Sequence, residues 1–243
     1  VLYERTGQYE KAEPLDLQAL ELRKKLLGEN DPVYAQSLSN LSMLYVNIGQ
    51  YEKGERLNIQ AMEIQKKTLG ENHPEYVTSI VNLAFLYKSM GQYEKAESLY
   101  IEAKEIKEKL VGKNHADYGQ ILNNLGVMYS EMGQFEKAEP ALIQAMGIRQ
   151  KALGENHPHF ATSLNNLARL YERMGQYEKA EPLYIQTRVI REKIIGKTHP
   201  DYAQILNNLG IFYIRTGVLK KAEPLILTAT DIKLQNLRSI FGI

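Results

Sequence analysis

The chain has 243 residues, with 30 basic and 29 acidic side chains, a formal charge of +1 and no cysteine. That balance supplies no basic stripe for a nucleic-acid partner, and the missing cysteines exclude disulfides and thiol chemistry. No run of about 18 apolar residues is present to cross a membrane.

Glycines at Gly7, Gly49, Gly91, Gly133, Gly175 and Gly217 recur every 42 residues, inside a phrase close to Gly-Gln-Tyr-Glu-Lys-Ala-Glu-Pro. A fixed period of this size marks stacked units that bury a continuous core together. The expectation is a single array over 1–243: a partial repeat at 1–31, then repeats at 32–73, 74–115, 116–157, 158–199 and 200–240. Val1 to Thr6 read as the end of a helix, and the chain starts in mid-unit without Met, so a fragment of a larger protein is expected. With the termini missing, a cytoplasmic location is only the working expectation.

The first full unit opens with Asp31 before Pro32, a good N-cap followed by proline at the first helical position. In the unit at 158–199, Leu164, Leu167, Ala168 and Tyr171 recur at helical spacing on a first helix, A, and Gly175 suits the left-handed turn that ends it. Tyr177, Ala180, Leu183, Tyr184 and Ile190 mark the apolar face of a second helix, B, which runs to about Ile195 and is closed by Gly196. Pro182 falls in the first turns of B, where proline is least disruptive. Small residues mark where helices touch: Ala96, Ala138, Ala180 and Ala222 on B, and Ala84, Gly126, Ala168 and Gly210 on A. Tyr45, Tyr87, Tyr129, Tyr171 and Tyr213 are expected to fill the space between layers. In the last unit Leu227, Leu234, Leu237, Ile240 and Phe241 make B unusually apolar. A terminal cap should be polar outside, so self-association or docking of a further domain through this C-terminal helix is expected.

Asn-Leu-x-x-x-Tyr followed by Gly, Tyr, Ala and a later Ala at these spacings resembles the tetratricopeptide (TPR) repeat. Its usual unit has 34 residues; here B is longer and ends in Leu-Gly-Glu-Asn-His-Pro. Leu-Asn-Asn-Leu-Ala in A and Ile-Arg-Glu-Lys in B are similar to the long form found in kinesin light chains and their relatives. Leu38, Ile80, Leu122, Leu164 and Leu206 stand where the usual tryptophan would be, and the light-chain heptad coiled coil is absent. The resemblance implies a right-handed superhelix of antiparallel helix pairs, a non-enzymatic scaffold without cofactors, and a protein or peptide ligand held in a concave groove lined by A helices. It also allows a second role, as the regulatory or sensor arm of a larger effector enzyme.

On A, a stripe faces away from the core: Gln36, Asn40, Met43 and Asn47 fall within an arc of about 60°, roughly opposite Leu38 and Tyr45. Its counterparts are Thr78, Asn82 and Phe85; Gln120, Asn124 and Val127; Thr162, Asn166, Arg169 and Arg173; and Gln204, Asn208, Ile211 and Arg215. Asparagine is a poor helix former, yet it holds this place in every unit. An amide that donates and accepts suits a peptide backbone; it equally suits a brace to the neighbouring helix. Met43, Phe85 and Val127 make the early stripe apolar, and Arg169, Arg173 and Arg215 make the later one basic. Arginine forks suit carboxylates, so a ligand with an acidic segment over the last two units is expected, the competing reading being ordinary solvated charges. Gln36, Thr78, Gln120, Thr162 and Gln204 alternate, which suggests an 84-residue double unit, with shared ancestry as the plain explanation.

His73, His115, His157 and His199 occur once per unit, so stacking holds them on the order of 10 Å apart. Metal ligands must converge at about 2 Å. These histidines read as loop and cap residues, and no metal is expected. No nucleophile, base and orienting group come together in the pattern, so no catalytic residue is assigned. Glu-Lys pairs on B, such as Glu94-Lys95, read as a solvated face.

Overall fold

The computed structural model describes residues 8–241, with side-chain surroundings given through Arg238. These residues form helices α1 (Tyr9–Leu27), α2 (Pro32–Asn47), α3 (Tyr51–Leu69), α4 (Pro74–Ser89), α5 (Tyr93–Val111), α6 (Ala116–Glu131), α7 (Phe135–Leu153), α8 (Pro158–Arg173), α9 (Tyr177–Ile195), α10 (Pro200–Arg215) and α11 (Leu219–Phe241), with no strand among them. Even-numbered helices through α10 are A and odd-numbered ones are B.

Both ends of each A helix follow from local chemistry. At the start, Asp31 accepts from the Val33 amide at 2.7 Å. His73, His115, His157 and His199 do the same through Nδ1, each taking the amide two residues on at 3.1–3.2 Å. The histidines are caps, as their spacing indicated. At the other end Gly49 takes φ +77°, and the Gln50 amide returns to the Tyr45 carbonyl at 2.8 Å. A left-handed residue there folds the chain back into B with no Cβ penalty.

Two compact units divide the chain at Gly112 and Lys113. In the first, α1 to α5 pack each on the next, and α2 also packs on α4; in the second, α6 to α11 do the same, with α6 on α8. Leu38, Leu41 and Leu44 form the buried face of α2, and Leu164, Leu167 and Leu170 that of α8. Tyr177, expected in the apolar face of α9, is instead exposed and meets the Phe212 ring edge-on at 6.0 Å.

Layers are tied by one recurring contact. Tyr87 donates to Glu55 at 2.7 Å, Tyr171 to Glu139 at 2.9 Å and Tyr213 to Glu181 at 2.7 Å, each glutamate lying on the preceding B helix. The following B helix then lays a lysine over the ring: Lys95 on Tyr87, Lys179 on Tyr171 and Lys221 on Tyr213, at 4.8–5.0 Å. Glu94 and Lys95 are both exposed, as expected of a solvated face, and Lys95 in addition lies over the Tyr87 ring.

The alternation between units has a steric counterpart. A Cβ placed on Gly126 would lie 2.6 Å from Leu142 Cγ, and one on Gly210 would lie 2.5 Å from Ile226 Cδ1. In the units where A carries Ala84 or Ala168, B carries Tyr100 or Tyr184 at those positions. Glycine thus accompanies a branched aliphatic, and alanine a ring.

Gly126→Ala is expected to cost about 1–3 kcal/mol by overpacking. Gly147→Ala, in a helical site where a Cβ meets nothing, should stabilise by about 0.5–1 kcal/mol; urea midpoints of the two variants check both signs. Burial, and then the bonded glutamate, push the Tyr87 and Tyr171 phenols up to about 12. Because the folded values lie above the ordinary phenol value, this stabilisation is complete below about pH 10 and is lost as pH rises through about 12. Phenolate absorbance should therefore show a late-titrating class that shrinks in Tyr171→Phe; one common transition near the ordinary value would contradict the contact.

Candidate ligand-binding groove

Within each unit the packing of A on A sets neighbouring stripes side by side. In the first unit Gln36, Asn40 and Thr78 are exposed, while Met43, Asn82 and Phe85 are half-buried. Lys88 lies over the Phe85 ring at 5.1 Å, which places a cation beside the side chain expected to be a purely apolar contact. In the second unit Gln120, Arg169, Arg173, Gln204 and Arg215 are exposed, and Asn124, Thr162, Asn166 and Asn208 are half-buried.

The asparagines of α8 and α10 brace the stack. Asn166 Nδ2 donates to Asn123 Oδ1 at 3.1 Å, and Asn208 Nδ2 donates to Asn165 Oδ1 at 3.2 Å. Asn208 Oδ1 also accepts from Gln204 at 3.0 Å, so both ends of that amide are engaged. The acceptor in each case is the asparagine just before the stripe position of the previous A helix. In α2 that place is Ser39, whose hydroxyl pairs with Ser79 at 2.9 Å instead. Thr162 is engaged too: its hydroxyl donates to the Pro158 carbonyl and lies 2.8 Å from Arg191 Nη2.

The three arginines do not form one patch. Arg215 is ion-paired at 2.9 Å with Glu172, whose side chain is only 8% exposed. The other oxygen of Glu172 accepts from Tyr184 at 2.6 Å. Burial, and then that carboxylate, raise the Tyr184 phenol far above its ordinary value, so it stays a donor. Arg215 is thus a fixed partner of a held glutamate, and the expected basic trio reduces to Arg169 and Arg173.

Those two do converge. Arg169, Arg173 and Asn166 of α8 line one depression with Val127, Ser130 and Glu131 of α6. Arg173 Nη2 stands 3.5 Å from the Glu131 carbonyl at the α6 C-terminus, a weak contact at the negative end of the helix dipole. The two guanidiniums are four residues apart on one helix face, with Val127 apolar between the helices. The Glu131 side chain on the rim tempers the positive field.

A second set of basic residues escaped the sequence reading. Arg149 is 2% exposed, and its Nη1 reaches the His159 carbonyl and Ser163 Oγ at 3.2 and 2.8 Å; burial alone brings it down to about 10. Arg23 makes the matching bonds to Val33 and Ser37. The available signal was a polar residue at one B position in each unit: Arg23, Gln65, Lys107, Arg149, Arg191 and Lys233. Also unforeseen is an apolar depression between α3 and α4, lined by Ile59, Met62, Tyr76 and Leu83 with Glu63 and Lys66 at its edge. Among the described residues no group of three or more His, Cys, Asp or Glu is placed to hold a metal ion, and no helix is long and apolar enough to cross a membrane.

The tetratricopeptide repeat family model matches residues 1–53, 43–109, 77–151, 117–187 and 159–235. Among curated proteins none matches the chain significantly in sequence. Among solved structures, BtubC (BKLC) from P. vanneervenii is 26% identical, with 93% of this chain and 91% of that one covered and a TM-score of 0.74. The TPR-like repeats of a Podosopora anserina protein assigned as a kinesin light chain are 28% identical, with 86% and 99% covered and a TM-score of 0.66. The Rap conjugation gene regulator of plasmid pLS20, solved with the Phr* peptide, is 17% identical, covers 98% of this chain and 72% of its own, and has a TM-score of 0.66. The last shares the fold only. With repeat matches reaching from residue 1 to residue 235, the chain belongs to the tetratricopeptide repeat family.

Proposed function

We propose that the chain is a non-catalytic scaffold whose A-helix face captures a protein or peptide segment, and that α6 and α8 receive its acidic part. The observation that carries this reading is the convergence of Arg169 and Arg173 beside Asn166 over a Val127 floor. Two guanidiniums one helical turn apart match two carboxylates on one side of a bound segment, and each offers a fork that lysine lacks. Arg215 takes no direct part, since Glu172 already neutralises it. Asn166 and Asn208 each spend one amide N–H on the stack, so any grip on a peptide backbone comes from the second N–H, from the remaining carbonyl capacity or from Asn124. The peptide held by the Rap regulator supports the general idea that a helical array of this fold accommodates such a ligand.

The test is fluorescence anisotropy with labelled peptides drawn from a random library, scored by acidic content. Arg169→Glu with Arg173→Glu should weaken the acidic binders at least tenfold, about 1.4 kcal/mol. Their affinity should also fall with added salt, because the pair is exposed. Retained affinity in the double variant would remove α8 from the site.

A further inference from the structure

Four of the five described A helices are capped by histidine, and that cap is sensitive to protons. His73, His115, His157 and His199 each accept a backbone N–H through Nδ1. Only an imidazole with a free Nδ1 lone pair does so. A proton there turns the acceptor into a donor and sets a positive charge at the positive end of the helix dipole.

Three of these helices carry a carboxylate two residues after the cap: Glu75 in α4, Asp117 in α6 and Asp201 in α10. His115 Nδ1 lies 3.8 Å from Asp117 Oδ2 and His199 Nδ1 lies 3.9 Å from Asp201 Oδ2, so a protonated ring has an anion at hand. α8 has no acid in its first turn. The matching residue is His159, whose ring centroid stands 5.1 Å from that of His157.

Two cations hold this same turn. Arg149 of α7 donates to the His159 carbonyl and Ser163 Oγ at 3.2 and 2.8 Å. Arg191 of α9 donates to the Pro158 carbonyl and Thr162 Oγ1 at 3.2 and 2.8 Å. Lys193 of α9 reaches Asn156 at 3.1 Å, just before the cap, while Glu155 is taken by Gln150 at 2.8 Å and Asp201 of α10 acts on Arg191. Burial, then Arg149, His157 and Arg191, hold His159 below the ordinary histidine value, against the pull of Asp117 on α6. Because the folded value lies below the unfolded one, this contribution to stability is complete above about pH 6.5 and is lost as pH falls through the folded value.

We propose that the start of α8 is an acid-triggered opening in the array. Protonation of His157 removes the cap, and protonation of His159 sets a second like charge beside it. No first-turn carboxylate offsets either, so the turn unwinds. Unwinding takes away the Pro158 and His159 carbonyls that hold Arg191 and Arg149. The acid form thus frees two guanidiniums, one half-buried and one buried in the neutral form, while α6 and α10 stay closed.

Hydrogen–deuterium exchange of the whole chain at about pH 7.5 and about pH 5.5, corrected for the chemical exchange rate, tests this. Backbone amides of residues 159–163 should lose protection at least about fivefold at the lower pH, the scale of one lost N-cap, while residues 117–121 and 201–205 change less than about twofold. His157→Asp gives α8 the cap type of α2, whose ordinary carboxylate value is about 3.9, and should abolish the loss. His159→Glu supplies the missing first-turn carboxylate and should reduce it. Equal protection of α8 at both pH values, a loss shared equally by α6 and α10, or a loss undiminished in either variant would each overturn the proposal.

Discussion

Each A helix must hold the B helix before it and the B helix after it, and one tyrosine does much of both. Tyr171 illustrates the constraint: its hydroxyl reaches back to Glu139 on α7, and its ring is covered by Lys179 of α9. A phenol is long enough to cross the layer and keeps a polar tip for the glutamate it meets there. Repeating this contact fixes the spacing and rotation of successive layers, so the stripe on one A helix falls beside the stripe on the next. The proposed ligand surface is a by-product of that register.

The same register explains why polar residues are retained in the stripe. Asn166 and Asn208 are not free recognition groups; they bond across the layer to Asn123 and Asn165. Leaving a half-buried amide without a partner costs stability, and pairing Asn166 and Asn208 between layers ties the surface to the stack. What is left for recognition is the set of side chains that the stack does not use. Among the described residues Arg173 of α8 is held only weakly, whereas Arg215 of α10 is taken by Glu172 of α8. Specificity then comes from departures from the repeat.

Much of this was legible in the sequence because it is local. Caps, turn glycines, the two apolar faces and the outward stripe depend on residues within one or two turns of each other, and helical geometry alone places them. The histidines could be assigned as caps on spacing. Arg149 was not foreseen, because a buried cation without a carboxylate partner is the unusual solution; it is held by the His159 carbonyl and Ser163 of the next helix. The ring contact of the exposed lysine over each tyrosine was missed for a similar reason. Its sequence neighbours are charged, and its ring partner belongs to the helix before it.

The sequence by itself determined the helices, their order, the family and the face on which binding is sought, since a 42-residue period leaves little freedom in how helix pairs stack. Only the tertiary structure decided which of those surface groups are already spent. The asparagine rungs run from Asn166 and Asn208 to positions 43 residues earlier, and Arg215 finds Glu172 at the same offset. One residue beyond the period is a turn of about 100° on the helix, so these partners lie outside any single stripe. They become neighbours only when one A helix packs against the next.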